Sequence, residues 1–144
     1  MTDEVRRAWA YLSRVAEPPC AELAAFVAQV GPVEAADRVK SGEVESELSS
    51  RVEARRELDC AVKDLDILDK MGGRLITPDD DEWPLLRFRA LGVGKDRKRS
   101  NDHPPLVLWA SGPVRLDEVT ERAAAIVGTR AATAYGEHVT ADLA

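Results

Sequence analysis

Apolar positions in the first half of the chain recur at helical spacing. Val5, Trp9, Leu12 and Ala16 stand at i, i+4, i+7 and i+11, which puts one apolar stripe on a first helix that Pro18 and Pro19 end. Pro19 also suits the first turn of a second helix, whose Leu23, Phe26, Val27 and Val30 share a face before Gly31 stops it. Gly31-Pro32 restarts a short third helix, with Val33, Ala36 and Val39 inward and Gly42 as its end signal. The pattern resumes at Leu48. Leu58, Ala61, Val62, Leu65, Leu68 and Met71 predict a long helix, with Lys63, Asp64, Asp66, Asp69 and Lys70 on its outer face and Gly72-Gly73 at its end. Residues 1–72 are therefore expected to form an all-helical module, closed around Trp9, Leu12, Phe26, Leu65 and Leu68.

After Gly73 the period shortens. Arg74-Leu75-Ile76-Thr77 reads as a short strand cut by Pro78, and Trp83-Pro84 leads a short helix with Leu85, Leu86, Phe88 and Leu91 available to pack. Pro104-Pro105 opens a second apolar strand, Leu106 to Ala110, closed by Ser111-Gly112. A third strand is expected at residues 123–127, where Ala125, Ile126 and Val127 lack the polar alternation of a half-exposed strand and suit a parallel strand covered on both faces. Beyond Thr133, the positions Ala134, Val139, Ala141 and Leu143 begin a helix. Residues 73–144 thus read as the start of an α/β domain with a parallel sheet.

The expected strand 123–127 meets Gly128 and then a helix-compatible stretch. A glycine there permits a sharp turn and lets backbone N–H groups approach an anion, to which the next helix presents its positive end. Arg130 would stand in the crevice where open α/β sheets bind ligands, and its planar fork suits a pair of phosphate oxygens. Gly128 to Gly136 spells neither G-x-G-x-x-G nor the Walker pattern, so a structural βα turn and an anion-binding turn are both compatible with the spacing.

Charge sharpens where a polyanion could bind. The net charge is −6, but residues 1–72 hold ten basic and fifteen acidic side chains while residues 73–144 hold ten and eleven. Lys95, Arg97, Lys98 and Arg99 lie in a loop between Gly92 and His103 and, with Arg87 and Arg89, face only Asp96 as a local acid. Solvation alone and nucleic-acid contact both fit such a run. The acids Asp79, Asp80, Asp81 and Glu82 are consecutive, so their side chains diverge; a solvated turn with helix N-terminal charge is expected, not a metal site. Glu34, Asp37, Glu43, Glu45 and Glu47 around the Val-Gly-Pro turn disfavour a phosphate there.

Other chemistries find little support. Cys20 and Cys60 lack a C-x-x-C partner or a histidine at ligand spacing, and His103 and His138 assemble no triad, so no catalytic, metal or cofactor site is expected. No apolar run approaches the ~20 residues that span a bilayer, and the amino terminus has no signal h-region. A soluble, cytoplasmic protein without membrane contact is the expectation.

Three ordered blocks carry a family resemblance: Asp81-Glu82-Trp83-Pro84-Leu85-Leu86; Asp102-His103-Pro104-Pro105 through Ser111-Gly112; and Ile126-Val127-Gly128-Thr129-Arg130 with Thr133-Ala134-Tyr135-Gly136. Together they resemble the DNA-processing protein A family, also called Smf. The resemblance covers residues 72–144 and reaches the helical module only through its size and position. The helical module (residues 1–72) is expected to be SAM-like or helix-hairpin-helix-like, its Val30-Gly31-Pro32 turn reading as a degenerate hairpin used for packing or protein contacts, and the resemblance implies that a Rossmann-like domain follows (residues 73–144) that is incomplete, since family members continue into further strands and helices. It also implies a non-enzymatic protein that binds and protects single-stranded DNA, helps load the RecA recombinase in natural transformation, and forms a homodimer through parts beyond this chain.

By position, Gly128, Thr129 and Arg130 match the family's Gly-Ser-Arg turn in its DNA pocket. The basic insertion from Gly94 to Ser100 departs from the family, so Lys95, Arg97, Lys98 and Arg99 are auxiliary DNA contacts only by their charge. Two other classes of function compete with this reading: a Rossmann-type enzyme holding a nucleotide phosphate at Gly128, and a helical module serving protein contacts alone.

Overall fold

A computed structural model describes residues 1–89, 103–124, 127–129 and 131–143. Eight helices are present among them: α1 Asp3–Val15, α2 Ala21–Val30, α3 Pro32–Ser41, α4 Ser46–Val52, α5 Ala61–Lys70, α6 Leu85–Arg89, α7 Leu116–Thr120 and α8 Ala134–Leu143. Two strands, β1 Gly73–Ile76 and β2 Leu108–Ser111, complete the described elements. No helix of the described residues is long and apolar enough to cross a membrane.

α1 is the central helix. Thr2 caps it by accepting the Val5 N–H, and Asp3 and Glu4 place negative charge at its positive end. Ala8 through Leu12 are all buried, a wider surface than the single predicted stripe, because α3 and α5 both pack against this helix. Leu12, Ala35 and Val39 are fully enclosed. Gly31 has φ 85°, which lets the chain reverse in one residue between α2 and α3, and Pro32 opens α3 at a position that needs no N–H. Trp9, Leu12, Leu65 and Leu68 lie in the core as expected, and Phe26 packs partly buried against it.

The predicted long helix starts later than its apolar pattern. Asp59 Oδ1 accepts the Ala61 N–H at 3.1 Å and fixes the start of α5, and the same carboxylate pairs with Lys40 at 2.7 Å. Leu58, Val62 and Met71 remain exposed. Tyr11 ties this connection down: its hydroxyl donates to the Arg56 carbonyl at 2.8 Å, and Lys40 Nζ lies 4.6 Å from the ring centroid. Arg6 with Asp69 and Arg14 with Asp64 link α1 to α5 along the surface.

The strands pair antiparallel, in the register Gly73↔Ser111, Arg74↔Ala110, Leu75↔Trp109 and Ile76↔Leu108. This corrects the parallel arrangement expected of the second half, as far as the described residues reach. Ala123, Ala124 and Val127 carry no strand, and Val127 is 91% exposed where burial on both faces was predicted. Ala125 and Ile126 fall outside the described residues. The sheet does not stand apart from the helices. Leu75 and Val107 belong to the same buried cluster as Leu12 and Leu65, and Leu106 packs against it. Gly73 passes so close over Leu68 that a Cβ there would lie 2.4 Å from Leu68 Cδ1 and 2.7 Å from the Ala110 carbonyl oxygen.

The acidic turn is built rather than solvated. Asp80 accepts the Thr77 N–H at 2.7 Å and the Thr77 hydroxyl at 2.8 Å, reversing the chain after β1. Glu82 is only 8% exposed and receives the Arg74 guanidinium. Asp79 and Asp81 alone fit the expectation of exposed charge.

Candidate nucleic-acid interface

The segment predicted to bind phosphate leads into α8. Thr133 caps this helix: its hydroxyl accepts the Gly136 N–H at 3.2 Å and its carbonyl accepts the Glu137 N–H at 3.0 Å. Upstream, Thr129 Oγ1 accepts the Ala131 N–H at 3.2 Å, which folds the chain locally after Gly128. Gly128 and Thr129 are exposed, and a Cβ placed on Gly128 would meet nothing within 4 Å. The backbone there faces open space.

Val127, Gly128 and Thr129 line a hollow of about 820 Å³ together with Tyr135, Val139 and Thr140 of α8. Tyr135 is exposed beside the turn and offers a ring face. Glu137 lines the same hollow and sits in the first turn of α8, so one carboxylate opposes the positive end of the helix. The Ala131, Gly136 and Glu137 N–H groups at this turn are already bonded to Thr129 and Thr133, and Tyr135 and Val139 give the hollow an apolar wall. His138 faces Asp142 at 3.5 Å on the exposed side of α8.

Of the predicted contacts, the structure brings Gly128 and Thr129 together in this exposed loop. Arg130 lies outside the described residues, as do Lys95, Arg97, Lys98 and Arg99. Arg87, grouped with that basic run by sequence, is engaged elsewhere: its Nη2 donates to the Thr120 and Glu121 carbonyls at 3.3 Å each, at the C-terminal end of α7.

Sequence reasoning missed the polar node that organises this half. Arg74 Nε and Nη2 donate to the two Glu82 oxygens at 2.6 and 2.7 Å, while Nη1 donates to the Gly112 carbonyl at 2.6 Å and Nη2 to that of Val114 at 2.8 Å. Glu82 Oε2 also accepts the Leu116 N–H at 2.9 Å, at the start of α7. These bonds hold the Glu82 carboxyl down at about 2, the Arg74 hydrogen bonds outweighing burial, which acts the other way. The available signal was the turn Thr77-Pro78-Asp79-Asp80, which folds residue 82 back alongside β1.

Residues 74–144 match the family model described as DNA recombination-mediator protein A. Two Mycobacterium tuberculosis proteins, of strains CDC 1551 / Oshkosh and ATCC 25618 / H37Rv, carry the provisional name DNA processing protein DprA and are each 67% identical to this chain over 144 residues. Those alignments take in 100% of this chain and 37% of each relative, so the chain spans little more than a third of their length. No solved structure matches it. Over residues 74–144, the chain is thus similar to the DNA recombination-mediator protein A family.

Proposed function

We propose that this chain is part of a non-enzymatic, cytoplasmic DNA processing protein that binds and protects single-stranded DNA and assists RecA loading during natural transformation and recombination. The observation that carries the reading is the position of Gly128, Thr129 and Arg130: inside the segment that matches the family, directly ahead of a helix capped by Thr133. Turn amides and the positive end of α8 favour a phosphate, and a guanidinium at position 130 adds a bidentate donor. Tyr135 beside the turn supplies a face on which a base stacks. Lys95, Arg97, Lys98 and Arg99 add screened, longer-range attraction to the same polyanion.

The fold reading that goes with this function is a Rossmann-like sheet. Mixed sheets often carry an antiparallel edge strand on a parallel remainder, so the β1–β2 pair takes the edge of such a sheet. The α2–Gly31–α3 turn acts as a degenerate helix-hairpin-helix used for packing or protein contacts. Homodimer formation and RecA contact belong to the longer protein.

Fluorescence anisotropy with a labelled single-stranded oligonucleotide tests the reading on the longer protein. Binding is expected to weaken with salt, with a log–log slope of about −0.7 per phosphate neutralised. Arg130→Ala is expected to weaken it more than any one change among Lys95, Arg97, Lys98 and Arg99, because a cation held close to its phosphate is screened less than a distant one. Equal losses at all five positions would remove the assigned turn from the site, and salt-independent or absent binding would refute the function.

A further inference from the structure

We propose that α7 is a detachable segment held by a polar latch, and that the Arg74–Glu82 pair is the latch. α7 has five residues, far below the ~12–15 at which an isolated helix becomes even marginal in water. None of its residues is buried, and Val114 and Val119 are about half exposed, so apolar burial contributes little to its position.

Hydrogen bonds grip it instead, at both ends and from one stretch of chain. At its start, the Leu116 N–H donates to Glu82 Oε2, and the approach to α7 is pinned by Arg74 through the Gly112 and Val114 carbonyls. At its end, Arg87 donates to the Thr120 and Glu121 carbonyls.

The grips are not equivalent. The Arg74 guanidinium uses Nε, Nη1 and Nη2 at once, and the Glu82 carboxylate takes three donors on two oxygens. Each half of the pair therefore orients the other, and an ammonium cannot reproduce the fork. The core cluster around Leu12, Val39 and Leu65 contains neither residue. Opening the pair thus releases Gly112, Val114 and Leu116 while the helices stay packed, and leaves α7 held by Arg87 at its end. The latch is a conformational device of the fold and stands whether or not the ligand at Gly128 is DNA.

Amide hydrogen exchange, resolved by mass spectrometry on the 144-residue chain at neutral pH, tests it. In the parent, the hydrogen-bonded amides of 116–121, those of Leu116, Val119 and Glu121, are expected to be protected. In Arg74→Lys and in Glu82→Gln they are expected to exchange about tenfold faster or more, with α1 and α5 amides unchanged within about twofold, as for a sub-global opening. The double variant should be no faster than either single one. Arg87→Ala, which leaves the pair intact, should accelerate the same amides by a smaller factor. The latch is overturned if 116–121 are unprotected in the parent, if they do not respond to the pair, or if α1 and α5 accelerate equally, which would make the pair part of global stability.

Discussion

Arg74 and Glu82 stand eight positions apart yet meet fork to fork, with Nε–Oε1 2.6 Å and Nη2–Oε2 2.7 Å, because Asp80 turns the chain between them. Glu82 titrates near 2 against an ordinary 4.5, chiefly through the Arg74 hydrogen bonds, aided by the Leu116 N–H and by the charges of Arg74 and Arg115. A depressed carboxyl contributes stability above its unfolded value and loses it as pH falls towards the folded one. Acid titration is therefore expected to loosen the 112–121 segment between pH 4.5 and about 2, read from the Leu116 amide resonance. Glu82→Gln should lack this step. Asp59, Asp69 and Asp117, lowered by Lys40, Arg6 and Arg115, titrate in both proteins, so the difference isolates Glu82.

The alkaline limit is set elsewhere. Tyr11 is enclosed under Lys40, and burial first, then the Asp59 charge, raise its hydroxyl from 10 to about 12. With the folded value above the unfolded one, its contribution is complete below pH 10 and is lost as pH rises through about 12. Urea midpoints measured at pH 9 and pH 11 should fall in the parent and fall less in Tyr11→Phe. At pH 7 the same variant should cost about 0.5–1.5 kcal/mol for the lost bond to the Arg56 carbonyl.

Gly73→Ala tests the join between helices and sheet. Its new methyl would press on Leu68 Cδ1, which can move, and on the Ala110 carbonyl, which the ladder holds. A loss of about 1–3 kcal/mol is expected, as for other overpacked positions. Adding Leu68→Ala should not restore stability, because the backbone contact persists and a cavity is created. Full rescue in a urea melt would mean that the side chain alone forbids a Cβ here.

Helices were the most legible part of the sequence, since Gly31 and Gly42 punctuate stripes whose period is local. Even there, Asp59 moved the start of α5 past Leu58, because one capping carboxylate outweighed one apolar position. The first two strands were found within about two residues, but their direction depends on a pairing thirty positions away and left no local trace. Likewise Glu82 looked like one of four solvated acids, because its partner is reached only through the turn. At the candidate site, the helix that follows Gly128 and Thr129 was visible, whereas the absence of a strand at Ala123, Ala124 and Val127 and the exposure of Val127 were not, since an apolar triplet reads as buried whatever lies beside it.

The register Ile76↔Leu108 has a consequence for how such chains can vary. Both ends of the intervening stretch are fixed by one ladder and by Leu75 and Val107 in a common core, so the connection between them is a closed loop. The entropy of closing a loop grows only logarithmically, and doubling its length costs about 0.6 kcal/mol. A change in the length of that connection therefore costs the ladder little.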